Sequence, residues 1–511
     1  MANIHTYKLQ TMQKILIMSF LMAVLFSCGP GAPQKEAIVY EPTWESLARH
    51  NEAPEWFRDA KLGIYFHWGP YSVPAYGDEW YPRWMHFENS REYKHHLEKY
   101  GHPSEFGYHD FIPMFTAEHF DPEEWADLFQ KAGARYAGPV AEHHDGFSMW
   151  ASEITPWNAL DMGPKRDITG ELAKALRARG MKLITTFHHD RHLQRYAGKP
   201  DETRYEDSHF PLFAGMPPAT TSGDFDYLYG NIEEEKWHRE VWLGKLKEVI
   251  DKYQPDIIWF DSWLDKVKED YRQEFCAYYL NEAQNWNKEV VIVRKQDDLP
   301  LDVSVDDLEK SRKNKIDEKA WMTDETVSTG SWCYTEDLRI KPAKDVLHVL
   351  IDIVSKNGVL LLNISPKADG SIPEDQKNVL LTMGGWLGKY GEAIYDTRPW
   401  HTFGEGPTVQ PEGHFNNHRE FLKIKYSNED VRYTTKGRYI YATILGWPGN
   451  GQQVTLKSFA RENLPEKTKI RSVSMLGSKE KISWKQADDG LSLQMPAVAP
   501  DEMAVVLKIK I

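Results

Sequence analysis

The chain has 511 residues, room for two or three domains, and its 41% hydrophobic and 27% charged residues exclude a disordered protein. A formal net charge of −14 leaves no basic excess to neutralise phosphates, so no nucleic-acid partner is expected. The three cysteines, Cys28, Cys276 and Cys333, exclude a disulfide scaffold, and no two of them have metal-site spacing.

Lys8 and Lys14 precede an apolar run from Ile15 to Phe26. That run is shorter than the ~20 residues a bilayer span requires, and it fits the core of a signal peptide. It ends Leu25-Phe26-Ser27-Cys28, which resembles the lipobox of bacterial lipoproteins. Residues 1–28 are therefore expected to be a lipoprotein-type signal peptide with Cys28 lipidated, and 29–40 a linker. The protein is expected to be exported, periplasmic or on the cell surface, touching a membrane only through that anchor. A plain secretory signal with a coincidental cysteine is the alternative.

From Lys61 to Phe66 the chain reads as a buried strand, ending at His67-Trp68-Gly69. Asp121-Pro122-Glu123-Glu124 starts a helix, with Asp as N-cap, Pro at the first helical position and Glu at the third. Strands are expected over Ala134–Val140, ending at His143-His144, and over Lys182–Thr186, ending at His188-His189. A helix near 167–180 lies between them. A helix with Trp237, Val241, Trp242, Leu246 and Val249 on its apolar face leads to the strand Ile257–Phe260 and Asp261. Val290–Val293 ends at Arg294, and Val359–Ile364 is one more strand. Strand and helix alternating this often, with polar residues gathered where strands end, predict an α/β fold. The form expected is a (β/α)8-like barrel over residues 41–398, whose active site is built from C-terminal strand ends. No glycine-rich dinucleotide or phosphate loop follows any strand, which argues against a doubly wound open sheet. Beyond about Trp400, short strands such as 438–445, 453–457, 470–475 and 503–509 predict a C-terminal antiparallel β-sandwich over 399–511.

His67, His143, His144, His188, Asp261 and Arg294 all stand at strand ends, and Glu79-Trp80 lies in the loop after the first strand. Taken singly, each has a structural explanation; taken together, they line one mouth. The composition adds 19 Trp, 25 Tyr and 21 Phe, rings that mostly pack cores but also suit sugar clefts. Two enzyme classes fit. A glycosidase would use two carboxylates for chemistry and the His, Arg and Trp side chains for hydroxyls and sugar faces. A metal-dependent barrel hydrolase would use His and Asp as ligands. Against the second, His67 stands alone rather than in His-x-His, and adjacent His143 and His144 would diverge on an extended strand. A non-catalytic surface glycan-binding lipoprotein would explain the aromatics but not the repeated strand-end polar groups.

Several motifs carry a resemblance. The run Trp56 to Gly69 followed by Tyr71-Ser72-Val73-Pro74, then Ala132 to Tyr136 with His143-His144-Asp145-Gly146-Phe147, resembles the α-L-fucosidases of glycoside hydrolase family 29. Trp259-Phe260-Asp261 resembles the family's nucleophile strand, and Lys356 to Pro366 with Gly391 to Tyr395 its barrel-closing segment. The likeness covers about residues 50–400. It implies an exo-acting retaining hydrolase that removes terminal α-L-fucose from an oligosaccharide or glycoconjugate by double displacement, with no cofactor and no metal. It implies Asp261 as nucleophile, with His67, Glu79, Trp80, His143, His144, His188, Trp259 and Arg294 around the sugar. The chain departs from the family in having His188-His189 where many members carry a Tyr, and in lacking a Thr-Pro-Glu pattern after Arg294. The acid/base is expected at Glu309, because Val303–Leu308 alternates like an edge strand approaching the mouth and Glu309 falls between Arg294 and Gly330-Ser331-Trp332-Cys333-Tyr334, a run that resembles the family's next anchor. Glu325 is the alternative. Oligomeric state is not legible.

Overall fold

Eight parallel strands close into a barrel in strict chain order, β1 (Leu62–Phe66), β2 (Tyr136–Glu142), β3 (Lys182–Phe187), β4 (Ile257–Phe260), β5 (Val291–Arg294), β6 (Val305–Asp307), β7 (Trp321–Thr326) and β8 (Gly358–Ile364), with β8 pairing back onto β1. The computed structural model describes residues 38–192, 225–230, 232–414, 418–464 and 468–511. The expected signal peptide with Cys28, nearly all of the 29–40 linker and most of the 191–231 segment lie outside the described residues.

The strands are buried on both faces, which is why most of them read as continuous apolar runs. Inward-pointing Tyr65, Tyr136, Val140, Ile184, Trp259, Val293, Met322 and Leu361 form a core of their own inside the barrel. Gly63 is required there, since a Cβ on it would lie 2.0 Å from the Tyr136 ring. Outward-pointing Ile64 and Phe66 join the helices of the outer ring, and the Phe66 ring meets Trp125 edge-on at 4.9 Å. The helix Pro122–Lys131 begins as expected, with the Asp121 carboxylate accepting from the N–H groups of Glu123 and Glu124. The helix through Trp237 and Val249 carries an eight-residue π segment, Trp237–Gly244. Two seventeen-residue helices, Glu269–Asn285 and Glu374–Tyr390, complete the ring where no helix was expected.

One expectation needs correction. The strand near Val303–Leu308 is not an edge strand: β6 is hydrogen-bonded to β5 on one side and β7 on the other, because a closed barrel has no edge.

The C-terminal strands form two antiparallel sheets. The larger contains β9 (Arg398–Glu405), β10 (Val431–Lys436), β11 (Tyr439–Ile444), β13 (Ser472–Met475) and β16 (Val505–Lys510), ordered β13-β16-β11-β10-β9. The smaller contains β12 (Gln453–Leu456), β14 (Ser483–Ala487) and β15 (Gly490–Gln494). Their facing side chains, Tyr433, Ile440, Leu456, Leu491, Leu493 and Leu507 among them, share one core.

Candidate active site

The period-two alternation of the barrel strands continues past their C-terminal ends. Counting by twos, Tyr65 leads to His67, Thr186 to His188, Trp259 to Asp261, Val293 to Lys295, Asp307 to Glu309, Met322 to Asp324 and Leu361 to Asn363. These side chains make the layer above the apolar interior, where a barrel places its reacting groups.

At the centre of that layer is Lys295, only 6% exposed. Its ammonium donates to Asp261 Oδ1 at 3.0 Å, Glu309 Oε2 at 3.2 Å and Asp324 Oδ2 at 3.2 Å, and lies 4.8 Å over the Trp259 ring. Asp261 and Glu309 thus each bring one carboxyl oxygen to the same nitrogen, which sets an upper bound of about 6 Å on the separation of those two oxygens and draws the pair together. Burial works against the lysine's charge, but Asp261, Asp324, Glu309 and Asp307 outweigh it and hold the ammonium well above the usual lysine range. Below this group, Tyr65 Oη donates to Asp324 at 3.2 Å. Asp307 is pushed well above its ordinary carboxyl value, by burial first and then by Asp324.

Three histidines face this carboxylate group. His188 Nδ1 lies 3.4 Å from Asp261 Oδ2. The rings of His67, His143 and His188 lie within 5.3 Å of one another, centre to centre, and offer ring nitrogens within 4.8 Å. Such a set can hold a metal ion or can grip adjacent hydroxyls. His67 is locked: its backbone N–H and its Nδ1 both meet Asn363 Oδ1, at 3.0 and 2.9 Å, while the Asn363 amide nitrogen donates to Thr326 Oγ1 and the Trp332 carbonyl. Nδ1 therefore carries the proton and Nε2 the lone pair. Burial, then His188, keeps the His67 imidazole well below its ordinary value and hence neutral.

Aromatic rings pack against these histidines. Trp80 stacks on His144 at 3.9 Å, and Trp332 stacks on His67 at 5.3 Å. Glu79 accepts from the Trp332 N–H at 3.1 Å and from Ser331 Oγ at 3.3 Å. Its carboxyl is pushed up to about 7, by burial and then by Asp78 beside it.

Most of the expected residues converge, but four differ from expectation. His143 and His144 do not diverge, because β2 ends at Glu142 and both lie beyond it; their rings stand 4.2 Å apart. Arg294 is off the inward register and is held by the Gln296 carbonyl and by Asp297 at 2.9 Å, while its neighbour Lys295 takes the central place. Glu325 likewise points out of the barrel, where it accepts from Lys341 Nζ and from the Thr326 N–H, each at 2.8 Å. Lys295, Asp324, Asn363 and Trp332 are not among the expected site residues. Counting by twos from buried Val291 and Val293 finds Lys295, and from Val359 and Leu361 finds Asn363; Trp332 lies in the anchor-like run Gly330–Tyr334, but nothing local marks it as part of the site.

Residues 30–392 match the family model described as alpha-L-fucosidase, and residues 425–510 match its C-terminal domain. This chain belongs to the α-L-fucosidase family. It is accordingly a glycoside hydrolase. It is 32% identical over 505 residues to the tissue alpha-L-fucosidase of Rattus norvegicus, covering 95% of this chain and 94% of that one. It is 31% identical to the human tissue enzyme over 481 residues, covering 90% and 89% respectively. A Thermotoga maritima alpha-fucosidase solved with a mechanism based inhibitor aligns with TM-score 0.73 and 30% identity, over 92% of this chain and all of that one. The same protein solved with fucose aligns at TM-score 0.71 and 29% identity, over the same shares.

Proposed function

We propose that this family member is an exo-acting, retaining α-L-fucosidase that removes terminal fucose from oligosaccharides or glycoconjugates, with Asp261 as nucleophile and Glu309 as acid/base. The observation that carries this reading is the shared ammonium. Retaining glycosidases hold their two carboxyl groups ~5–5.5 Å apart and inverting ones ~6.5–9.5 Å, and the bound of about 6 Å set by Lys295 favours the first.

In the first step the Asp261 carboxylate attacks the anomeric carbon, while Glu309 gives its proton to the glycosidic oxygen and the aglycone departs. In the second, the Glu309 carboxylate takes a proton from water, whose oxygen attacks the same carbon and releases Asp261. Two displacements at one carbon return the starting configuration. Lys295 limits the repulsion between two carboxylates that must sit close together. The neutral His67 presents an acceptor nitrogen to a hydroxyl, and His143, His144, His188 and Glu79 surround the remaining hydroxyl positions. Trp80, Trp259 and Trp332 supply apolar faces. The interior packing of Tyr65, Trp259 and Val293 closes the floor, which suits a terminal sugar rather than the middle of a chain. The lipobox-like Leu25–Cys28 run supports an exported, lipid-anchored enzyme meeting its glycans outside the cytoplasm.

Asp261→Gly tests the mechanism. Turnover of an aryl fucoside is expected to fall to background, and added azide to restore it in part while giving a fucosyl azide of inverted configuration. Undiminished hydrolysis in the variant would overturn the assignment.

A further inference from the structure

Glu309 is the last residue before the chain leaves the barrel. Pairing with β7 continues past β6, the Leu308 N–H donating to the Met322 carbonyl at 3.0 Å and the Lys310 N–H to the Asp324 carbonyl at 2.9 Å. Lys310 then adopts a φ of 47°, so the backbone swings outward directly after Glu309. From the barrel, Thr323 Oγ1 donates to the Ser311 carbonyl at 2.8 Å.

The barrel also holds Lys313, whose ammonium donates to Asp317 at 2.6 Å, and further contacts on this turn come from the C-terminal domain. Ser311 Oγ donates to the His414 carbonyl at 3.3 Å, Gln410 Nε2 to the Lys313 carbonyl at 3.2 Å, and the Asn314 N–H to Glu412 Oε2 at 3.3 Å. Gly413 lies flat on the turn: a Cβ there would stand 2.4 Å from the Arg312 carbonyl oxygen and 2.6 Å from its nitrogen. The Arg312 guanidinium sits 4.8 Å over the Phe421 ring, and its Nε lies 3.5 Å from Asp352. Asp352 is fully buried and also accepts from Arg432 of β10 at 2.6 Å. The turn carrying the acid/base is thus tied through one buried carboxylate to the C-terminal sheet. His418, from the same domain, is lowered by burial, and the Glu309 carboxylate acts on its imidazole in the opposite sense.

We propose that the C-terminal domain is a positioning element for catalysis: Gln410, Gly413 and Phe421 hold the 311–314 turn and thereby fix Glu309 at its working distance from Asp261. The proposal rests on Glu309 being the acid/base. A group that must protonate one oxygen and then deprotonate another tolerates little displacement, since a shift of ~1 Å can cost ~100-fold in rate. Such a shift has a signature that general loosening lacks. A good leaving group departs without a proton, so only substrates with poor leaving groups feel a misplaced acid.

The test is made on the full chain with Gly413→Ala, which pushes on the Arg312 backbone, and with Gln410→Ala, which removes the amide's bonds to the Lys313 carbonyl, to Asp352 and to the Tyr426 hydroxyl. Each is compared with Glu309→Ala on two substrates, a dinitrophenyl fucoside and a fucosyl-galactose disaccharide. In Gly413→Ala, kcat/KM on the disaccharide is expected to fall ~10- to 100-fold, with less than ~3-fold loss on the dinitrophenyl fucoside. Gln410→Ala is expected to show the same selectivity in smaller measure. Equal losses on both substrates, or no loss on either, would overturn the proposal while selective loss in Glu309→Ala left the acid/base assignment standing. Absence of selective loss in Glu309→Ala would overturn the assignment itself.

Discussion

Lys295 is the residue on which the site's electrostatics turn. An ammonium bonded at 3.0, 3.2 and 3.2 Å to three carboxylates cannot be replaced by a neutral side chain without leaving those charges to repel one another across a few ångströms. Lys295→Met keeps most of the volume and removes the charge. The cation favours the ionised form of the carboxylates beside it, so its loss makes the nucleophile harder to ionise. The acid limb of kcat/KM is therefore expected to move to higher pH, and the plateau to fall by ~10²–10³, the usual loss on removing one preorganised donor. A pH–rate profile checks both, and an acid limb left in place would show that Lys295 does not set the state of Asp261. Glu79, pushed up to about 7 by its burial, adds a second titration near neutrality, so the comparison is made against the wild-type profile rather than against a simple bell.

At the scale of the element, the sequence shows where a strand ends more readily than which way its side chains face. Strands β1 to β5 and β8 were legible because burial on both faces demands uninterrupted apolar runs. Strand β7 was missed and β6 was mistaken for an edge because both carry inward carboxyl groups, Asp307 and Asp324, at positions where an interior strand ordinarily carries an aliphatic residue. Lys295 and Tyr65 both donate to Asp324 Oδ2 there, while burial and Asp324 push the Asp307 carboxyl well above its ordinary value. The same blindness to facing exchanged Arg294 for Lys295 and left Glu325 in contention with Glu309. Asp261, His67, His143 and His188 were found because a polar residue directly after a buried strand is visible without knowing its direction. Trp332 lies in a loop that folds back over His67 from a distant part of the chain, and only tertiary packing reveals it.

At the scale of the whole molecule, barrel and C-terminal sheets meet around Asp352, on the helix Ala343–Ser355. Its carboxylate binds Arg432 at 2.6 Å and Lys356 at 2.7 Å, and Arg312 lies 3.5 Å away. Burial opposes ionisation, but Lys356, then Arg432 and Arg312, hold the group well below its ordinary 3.8. A depressed value means that this stabilisation is complete above pH 3.8 and is lost as the pH falls through the folded-state value. Asp352→Asn leaves three buried cations without their shared counter-charge, at a cost of about 3–5 kcal/mol. Thermal unfolding at neutral pH is expected to show a Tm lower by several degrees, with the gap to wild type narrowing as the pH drops below 3.8. A variant as stable as wild type at neutral pH would mean that the cluster does not join the two halves.

In the proposed mechanism fucose passes through a covalent bond to Asp261. Incubation of the whole enzyme with a fluorinated fucosyl fluoride, which slows the second displacement more than the first, followed by intact mass measurement and peptide sequencing, tests it most directly. The account predicts one fucosyl adduct per chain, carried by the peptide containing Trp259-Phe260-Asp261 and located on the Asp261 carboxylate. An adduct on another residue, or full inactivation with no adduct at all, would contradict it.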